Sequence, residues 1–234
     1  MPRFEPTWQT DDGRVQLYLG DCLEILPQLP KVDAVVVDIP YGEVNRASSG
    51  LRNLDRGAAD VPTFSLLDAV TRGNAACSGS IYVWCGTEQV SELRRGFVDV
   101  GMTTRMCGWE KTNPSPMNGE HLWLSSFECC VFGRKSHAYF APKCQSPIWR
   151  GPVARNQQHP TEKPVWLMKI AVEASVPVDG TALDFCSGSG TTGIACIRLG
   201  RKFIGIEIEP KYFEIAKKRI QAELAQGDMF RSVT

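Results

Sequence analysis

The sequence predicts an α/β protein with a doubly wound, mostly parallel sheet. Short apolar runs of strand length alternate with segments of helical spacing along the chain, the pattern of a sheet covered by helices on both faces. Late in that alternation, Leu183-Asp184-Phe185-Cys186-Ser187-Gly188-Ser189-Gly190-Thr191-Thr192-Gly193 leads into the helix-like run Ile194 to Leu199 and the apolar stretch Phe203 to Ile208. Strand, Gly-rich turn, helix and strand form a nucleotide-binding unit. A chain of 234 residues with 43% hydrophobic residues can bury one sizeable core, so one large domain is expected.

Each element has its own signal. Val15 to Leu19 reads as a short strand and Cys22 to Leu29 as a helix, while Ala34 to Val37 is uniformly apolar, as a strand buried on both faces must be. Glu43 to Pro62 is a polar, Gly-containing connection of a length that goes with function or disorder. Phe64 to Ala76 has helical spacing, Ser80 to Trp84 is a strand, and Gln89 to Val100 is a helix leading to a strand around Met102 to Trp109. Phe127 to Phe132 is a further apolar strand. Pro164 to Ala174 is a helix with Pro164 suited to its first turn, and Ile206 to Gly227 closes with a strand and an amphipathic helix. No internal repeat or low-complexity tract interrupts the pattern.

Asp38-Ile39-Pro40-Tyr41 follows the apolar run Val35-Val36-Val37 and so sits at the mouth of the sheet, where open parallel sheets bind their ligands. The residue before a proline is held extended, which fixes the direction of the Ile39 carbonyl. Asp38 and that carbonyl can accept both hydrogens of an exocyclic amine, and Tyr41 offers a face for the ring that bears it. Taken alone, the four residues read more simply as a strand-end Asp followed by a turn. The Gly-rich unit changes that balance. Gly188, Gly190 and Gly193 let backbone approach a ligand, the following helix offers free amides, and Glu207, 19 positions after Gly188, can accept from ribose hydroxyls. The same spacing fits a nicotinamide dinucleotide, although only 41 residues follow Gly193, too few for a further substrate domain. A P-loop is excluded, since no Gly-Lys-Ser/Thr follows.

The chain resembles the beta group of amino-directed DNA methyltransferases, in which a tetrapeptide of Asp or Ser with Pro-Pro-Tyr precedes the cofactor motif. Tyr18-Leu19-Gly20-Asp21-Cys22-Leu23-Glu24 is similar to the family's opening Gly-Asp segment, Trp109-Glu110-Lys111-Thr112-Asn113-Pro114 to its Lys/Asn loop, and His159-Pro160-Thr161-Glu162-Lys163-Pro164 to the segment before the cofactor motif. Two departures stand out: Ile39 replaces the usual first Pro, and Phe185-Cys186 stands where Pro-Phe is common. The resemblance implies a Rossmann-like methyltransferase fold with circularly permuted motif order and S-adenosyl-L-methionine as cofactor. It also implies double-stranded DNA as substrate, with the amino group of a flipped base, adenine N6 ahead of cytosine N4, as acceptor. Asp38, Ile39, Pro40 and Tyr41 would form the catalytic set. The cofactor set would be Asp184, Phe185, Cys186, Ser187, Gly188, Gly190, Thr191, Thr192 and Glu207, joined by Thr161 and Lys163 at its methionine end and by Asp21 at its adenine. Asp21 is equally read as a helix cap, and Thr161 as the cap of the helix after Pro164.

The implied organisation is a catalytic half over 1–133, a target-recognition insertion over 134–158 and a cofactor half over 159–234. Formal net charge is zero, yet Arg134, Lys135, Lys143, Arg150, Arg155 and Lys163 face only Glu162 in their stretch, interleaved with Tyr139, Phe140 and Trp149. That composition fits either DNA contact or a solvated loop, and the resemblance favours DNA. Lys111 and Asn113 would border the base pocket, or else form a surface turn. Nine cysteines without a Cys-x-x-Cys pair, and no secretory signal, point to reduced thiols in the cytoplasm. No metal site, membrane span or Pro-Cys nucleophile is indicated. Homodimerisation stays open, as does pairing with a cognate restriction enzyme.

Overall fold

The computed structural model describes residues 5–40, 65–114, 123–153 and 162–226, and the backbone of 227–231. In chain order the strands are β1 (Trp8–Gln9), β2 (Val15–Leu19), β3 (Val32–Asp38), β4 (Cys77–Cys85), β5 (Thr103–Lys111), β6 (Phe127–Arg134), β7 (Ile148–Gly151), β8 (Thr181–Asp184) and β9 (Lys202–Glu207). The helices are α1 (Cys22–Ile25), α2 (Leu66–Ala76), α3 (Val90–Asp99), α4 (Val165–Ser175), α5 (Thr191–Arg198) and α6 (Pro210–Arg231). Together the strands form one sheet in the order β1-β2-β9-β8-β3-β4-β6-β5-β7. Strands β2, β9, β8, β3 and β4 run parallel, and β6 is antiparallel to both β4 and β5. The expected doubly wound α/β architecture is the one observed.

Strand alternation divides the core between the two faces of the sheet. Val35 and Val37 point to one face with Ile81 and Val83, against α2 and α3 through Val70, Leu93 and Phe97. Ala34 and Val36 point to the other with Tyr82 and Trp84, against α4, α5 and α6 through Leu167, Val172, Ala195 and Ile220. This is why Ala34 to Val37 carries no polar residue: both of its faces are dry. From β3 the chain steps to β4 on one side, whereas β8, which lies on the other side of β3, is followed by β9 in the opposite direction. The chain therefore reverses between β3 and β8, and their carboxyl ends open a crevice there.

Local chemistry sets the element bounds. Asp21 caps α1 by accepting from the Leu23 amide at 2.8 Å, and Pro27 converts the continuation into a 3-10 turn over Leu26–Gln28, so the expected helix to Leu29 is shorter and broken. Ser65 and Asp68 form a reciprocal capping box at the start of α2. Pro164 lies one residue before α4, as its cap rather than in its first turn. Helix α5 begins at Thr191, three residues earlier than the apolar run suggests.

The described part of the expected recognition insertion, 134–153, is less irregular than its composition implies. Ile148–Gly151 pairs in parallel with β5 from Gly108 to Lys111 and adds an edge strand. Pro147 and Pro152 bound it, which hides a four-residue strand from pattern reading. Arg134 belongs to β6, and because β6 runs opposite to β4, with Cys129 beside Cys85 and Arg134 beside Ser80, Arg134 and Lys135 lie at the end of the sheet away from Asp38. Their side chains bind backbone there: Arg134 Nη2 donates to the Ala138 carbonyl at 2.6 Å, and Lys135 Nζ to the carbonyls of Asn74 at 2.8 Å and Cys77 at 2.5 Å. Lys135, expected at the DNA, thus ties the end of α2 to β4, and Arg134, expected there too, ties the end of β6 to the turn that follows it. Among the described residues no helix is long and apolar enough to cross a membrane.

Lys135→Met should therefore lower unfolding free energy by roughly 1–2 kcal/mol, less than the full range for bonds to a charged group because the side chain is only part-buried. Urea denaturation should show the loss, while the salt dependence of DNA binding stays at the parental slope.

Candidate active site at the carboxyl ends of β3 and β8

Asp38 ends β3 opposite Trp84 of β4, and the next peptide stays attached, with the Ile39 amide donating to the Trp84 carbonyl at 3.3 Å and Gln89 Nε2 donating to the Pro40 carbonyl at 3.4 Å. The Ile39 side chain is buried in the core with α2 and α3, so replacing a proline here adds an apolar anchor. Asp38 alternates to the other face, a quarter exposed. Tyr41 and the loop 43–62 fall outside the described residues.

Lys163, expected at the methionine end of the cofactor, meets Asp38. Its Nζ lies 2.7 Å from Asp38 Oδ2 and 3.1 Å from Glu128 Oε2, and 5.9 Å from the centre of the Trp84 ring, with only 4% of the side chain exposed. The Asp38 contact is a formed hydrogen bond; the Glu128 contact has ion-pair distance without hydrogen-bond alignment. Lys111 approaches the other oxygen of Glu128 at 2.6 Å and lies 5.4 Å from the Trp109 ring centre. Burial alone would push the Lys163 ammonium down, yet Asp38 and Glu128 outweigh it and hold it above its usual value. Glu128 is the mirror case: burial would raise it, but Lys163 and Lys111 bring it below the usual carboxylate range.

The expected cofactor residues form the neighbouring wall. Buried Asp184, at the end of β8, accepts from the Thr192 hydroxyl at 2.7 Å and the Cys186 amide at 3.1 Å, so one carboxylate fixes both ends of the Gly-rich turn. Burial pushes Asp184 up to about 7 against those hydrogen bonds, with the nearby charges of Asp38 and Glu207 adding to the rise. Glu207 Oε2 accepts from the Gly188 amide at 2.7 Å and Oε1 from the Glu209 amide at 2.9 Å; burial raises it while these amides oppose. A carboxylate has about four acceptor positions, so capacity for ribose hydroxyls remains. Gly190 caps α5 at φ 78°, and a β-carbon there would stand 3.0 Å from that of Ala216. Gly188 has φ 50°, and a β-carbon on it would find only the Cys186 carbonyl, at 4.0 Å. A backbone open at Gly188 with a buried acidic residue on the next strand fits an adenosyl cofactor.

Several links escaped sequence reading. Arg219 of α6 donates to the Ser189 carbonyl and hydroxyl, both at 2.7 Å, and to Glu162 at 2.6 Å, clamping the Gly-rich turn to the residue beside Lys163. Glu128 was missed, although it is the one charge in the apolar run Phe127 to Phe132 and so carried a readable signal. Asn113 accepts from the Val153 amide at 2.7 Å and joins the ends of β5 and β7, while exposed Arg150 pairs with Glu110 at 3.2 Å. Lys143 is exposed; Thr161 and Arg155 fall outside the described residues.

Two outcomes follow. Glu207→Ala should weaken S-adenosylmethionine binding by roughly 1.5–3 kcal/mol in calorimetry; equal affinity would count against a cofactor role. Because the folded pKa of Asp184 is raised, its contribution to stability is full below the unfolded value and declines as pH rises toward 7. The stability of the parent relative to Asp184→Asn, from urea titrations, should therefore fall between about pH 4 and 7 and level off above.

The comparisons agree with this geometry. Residues 87–218 match the family model described as DNA methylase, N6_N4_Mtase. The chain is 29% identical over 223 residues to the Type II methyltransferase M2.DpnII of Streptococcus pneumoniae, covering 82% of this chain and 83% of that one, and 27% identical over 263 residues to M2.MboI of Moraxella bovis, covering 93% and 91%. The crystal structure of the M1.HpyAVI–SAM complex superposes with a TM-score of 0.70 at 29% identity, over 88% of this chain and 99% of that chain. The PvuII cytosine-N4-specific DNA methyltransferase shares the fold at a TM-score of 0.69 and 18% identity, over 92% and 88%. With more than half its length matched by the family model, and the carboxylate at β3 facing a Gly-rich turn at β8, the chain belongs to the N6/N4 DNA methylase family and is an S-adenosylmethionine-dependent DNA methyltransferase.

Proposed function

We propose that the enzyme methylates adenine at N6 in double-stranded DNA, with the target base flipped into the crevice between the ends of β3 and β8. The observation that carries this reading is Asp38, fixed by Lys163 at 2.7 Å beside the turn that fits the cofactor. An adenine amine is a poor nucleophile because its lone pair is delocalised into the ring. Two acceptors on its hydrogens, Asp38 and the Ile39 carbonyl, direct that lone pair at the incoming methyl, and Tyr41 supplies a stacking face that offsets part of the few kcal/mol spent on flipping. Held at the turn by Glu207 and the backbone at Gly188, S-adenosylmethionine would supply an electrophilic methyl whose leaving group is a neutral thioether. Asp38 stabilises the positive charge that develops on nitrogen, and the amine proton then leaves to solvent or to Asp38. An Asp, rather than a Ser, in the first position of the tetrapeptide supports adenine over cytosine.

The division of labour along the chain forms part of the same reading: a catalytic half to residue 133, target recognition within 134–158 and a cofactor half from 159. Lys143, Arg150 and Arg155 remain as DNA contacts in that segment, with Lys111 and Asn113 at the rim of the pocket. Lys163 moves from the cofactor set to the base side. Nine free thiols suit the reducing cytoplasm in which such a substrate lies.

Asp38→Ala should cut turnover by about 100- to 1000-fold with cofactor affinity unchanged. Turnover within twofold of the parent would sink the role of Asp38. Mass spectrometry of nucleosides from modification-free DNA treated with the parent enzyme should show N6-methyladenine; N4-methylcytosine instead would reverse the base assignment.

A further inference from the structure

We propose that Glu128 is a positioning residue for the methyl transfer, acting on Asp38 through the ammonium of Lys163. The inference rests on the reading of Asp38 above and adds a residue from the antiparallel strand β6, outside the motifs that carry that reading.

The ground is geometric. Asp38 and Glu128 stand on strands separated by β4, and both point to the sheet face that carries Trp84 and Trp109. Lys163 crosses above the Trp84 ring with one carboxylate on each side, at 2.7 Å and 3.1 Å. Glu128 is itself held, because Lys111 takes its second oxygen at 2.6 Å. It is therefore a fixed abutment. A lysine has a flexible four-carbon stem and no directional fork, so the hydrogen bond to Asp38 leaves the ammonium room to swing. Attraction toward Glu128 removes the freedom.

Charge gives a second reason. A carboxylate paired only with an ammonium would have its field at the target amine largely cancelled, just where positive charge must be stabilised. Glu128 neutralises the ammonium from the far side, so the three nearest charges sum to one negative. Lys111 lies beyond Glu128, furthest from the amine. The groups on the sheet face of Lys163 are Asp38 from β3, Glu128 and Cys130 from β6 and Lys111 from β5, while the Cys85 thiol of β4 lies on the opposite face. Both thiols are pushed up by burial and stay neutral. Loss of one of its two carboxylates should let Lys163 deprotonate at lower pH.

The test is single-turnover transfer of labelled methyl to amplified, modification-free DNA from pH 6.5 to 9.5, for the parent, Glu128→Gln, Glu128→Asp and Asp38→Ala. Misplacement of a reacting group by about 1 Å can cost about 100-fold, and Glu128→Gln should lose rate on that order while the Kd for S-adenosylmethionine and the KM for DNA stay within twofold. Its alkaline limb should move toward neutral pH. Glu128→Asp, which keeps the charge on a shorter stem, should recover part of the rate and the parental limb. A Gln variant with parental rate and limb, alongside an inactive Asp38→Ala, overturns the role of Glu128 and leaves that of Asp38 standing. An active Asp38→Ala removes the reading beneath it. Should Gln prevent folding, the Asp variant decides: a rate within twofold of the parent at every pH overturns the proposal.

Discussion

The ammonium of Lys163 sits almost out of reach of water, and an isolated buried ion would cost several kcal/mol. It is tolerable because strands β3 and β6 each bring a carboxylate to it while β4 between them brings an aromatic face. Three strands must therefore end at the same level for the charge to be accommodated at all. Buried ion pairs of this kind contribute little net stability compared with apolar packing, so their role is to make one arrangement far better than its neighbours. At this site that arrangement is also the one that holds the Asp38 carboxylate at the edge of the crevice.

The same constraint reaches the cofactor side through adjacent residues. Glu162 is clamped by Arg219, which also holds Ser189 in the Gly-rich turn, and Lys163 follows it directly in the chain. Two charged contacts thus leave one peptide in opposite directions, one toward the turn and one toward Asp38. The Gly-rich turn and Asp38 are set against each other by a dipeptide, with little length over which an error could accumulate.

What could be read from the chain was whatever depends on neighbours in sequence. Ala34 to Val37 had to be a central strand because no polar side chain interrupts it, and the Gly-rich turn announced itself because glycine is needed where backbone turns left-handed at Gly188 and Gly190. Relations set by strand direction stayed hidden. Arg134 and Lys135 belong to a basic stretch in sequence, but β6 runs against its neighbour and carries them to the far end of the sheet. Lys163 was legible as part of a motif, whereas its partner was not, since Glu128 lies 35 positions earlier and only the fold places the two in contact. Strand β7 escaped because four residues between prolines show no period.

Two glycines explain why this charged cluster has a fixed address. The ring of Phe127 fills the space a side chain at Gly108 would occupy, and the ring of Phe97 does the same above Gly133. These notches lie on the opposite face of the sheet from Glu128, one near each end of β6. They act as detents against sliding: a slip of one residue would lift both rings out of their notches and rotate Glu128 into the apolar layer beneath α3. An insertion or deletion between Phe127 and Arg134 would consequently displace the charge of Glu128 as well as change length, and among related chains this strand should keep its residue count.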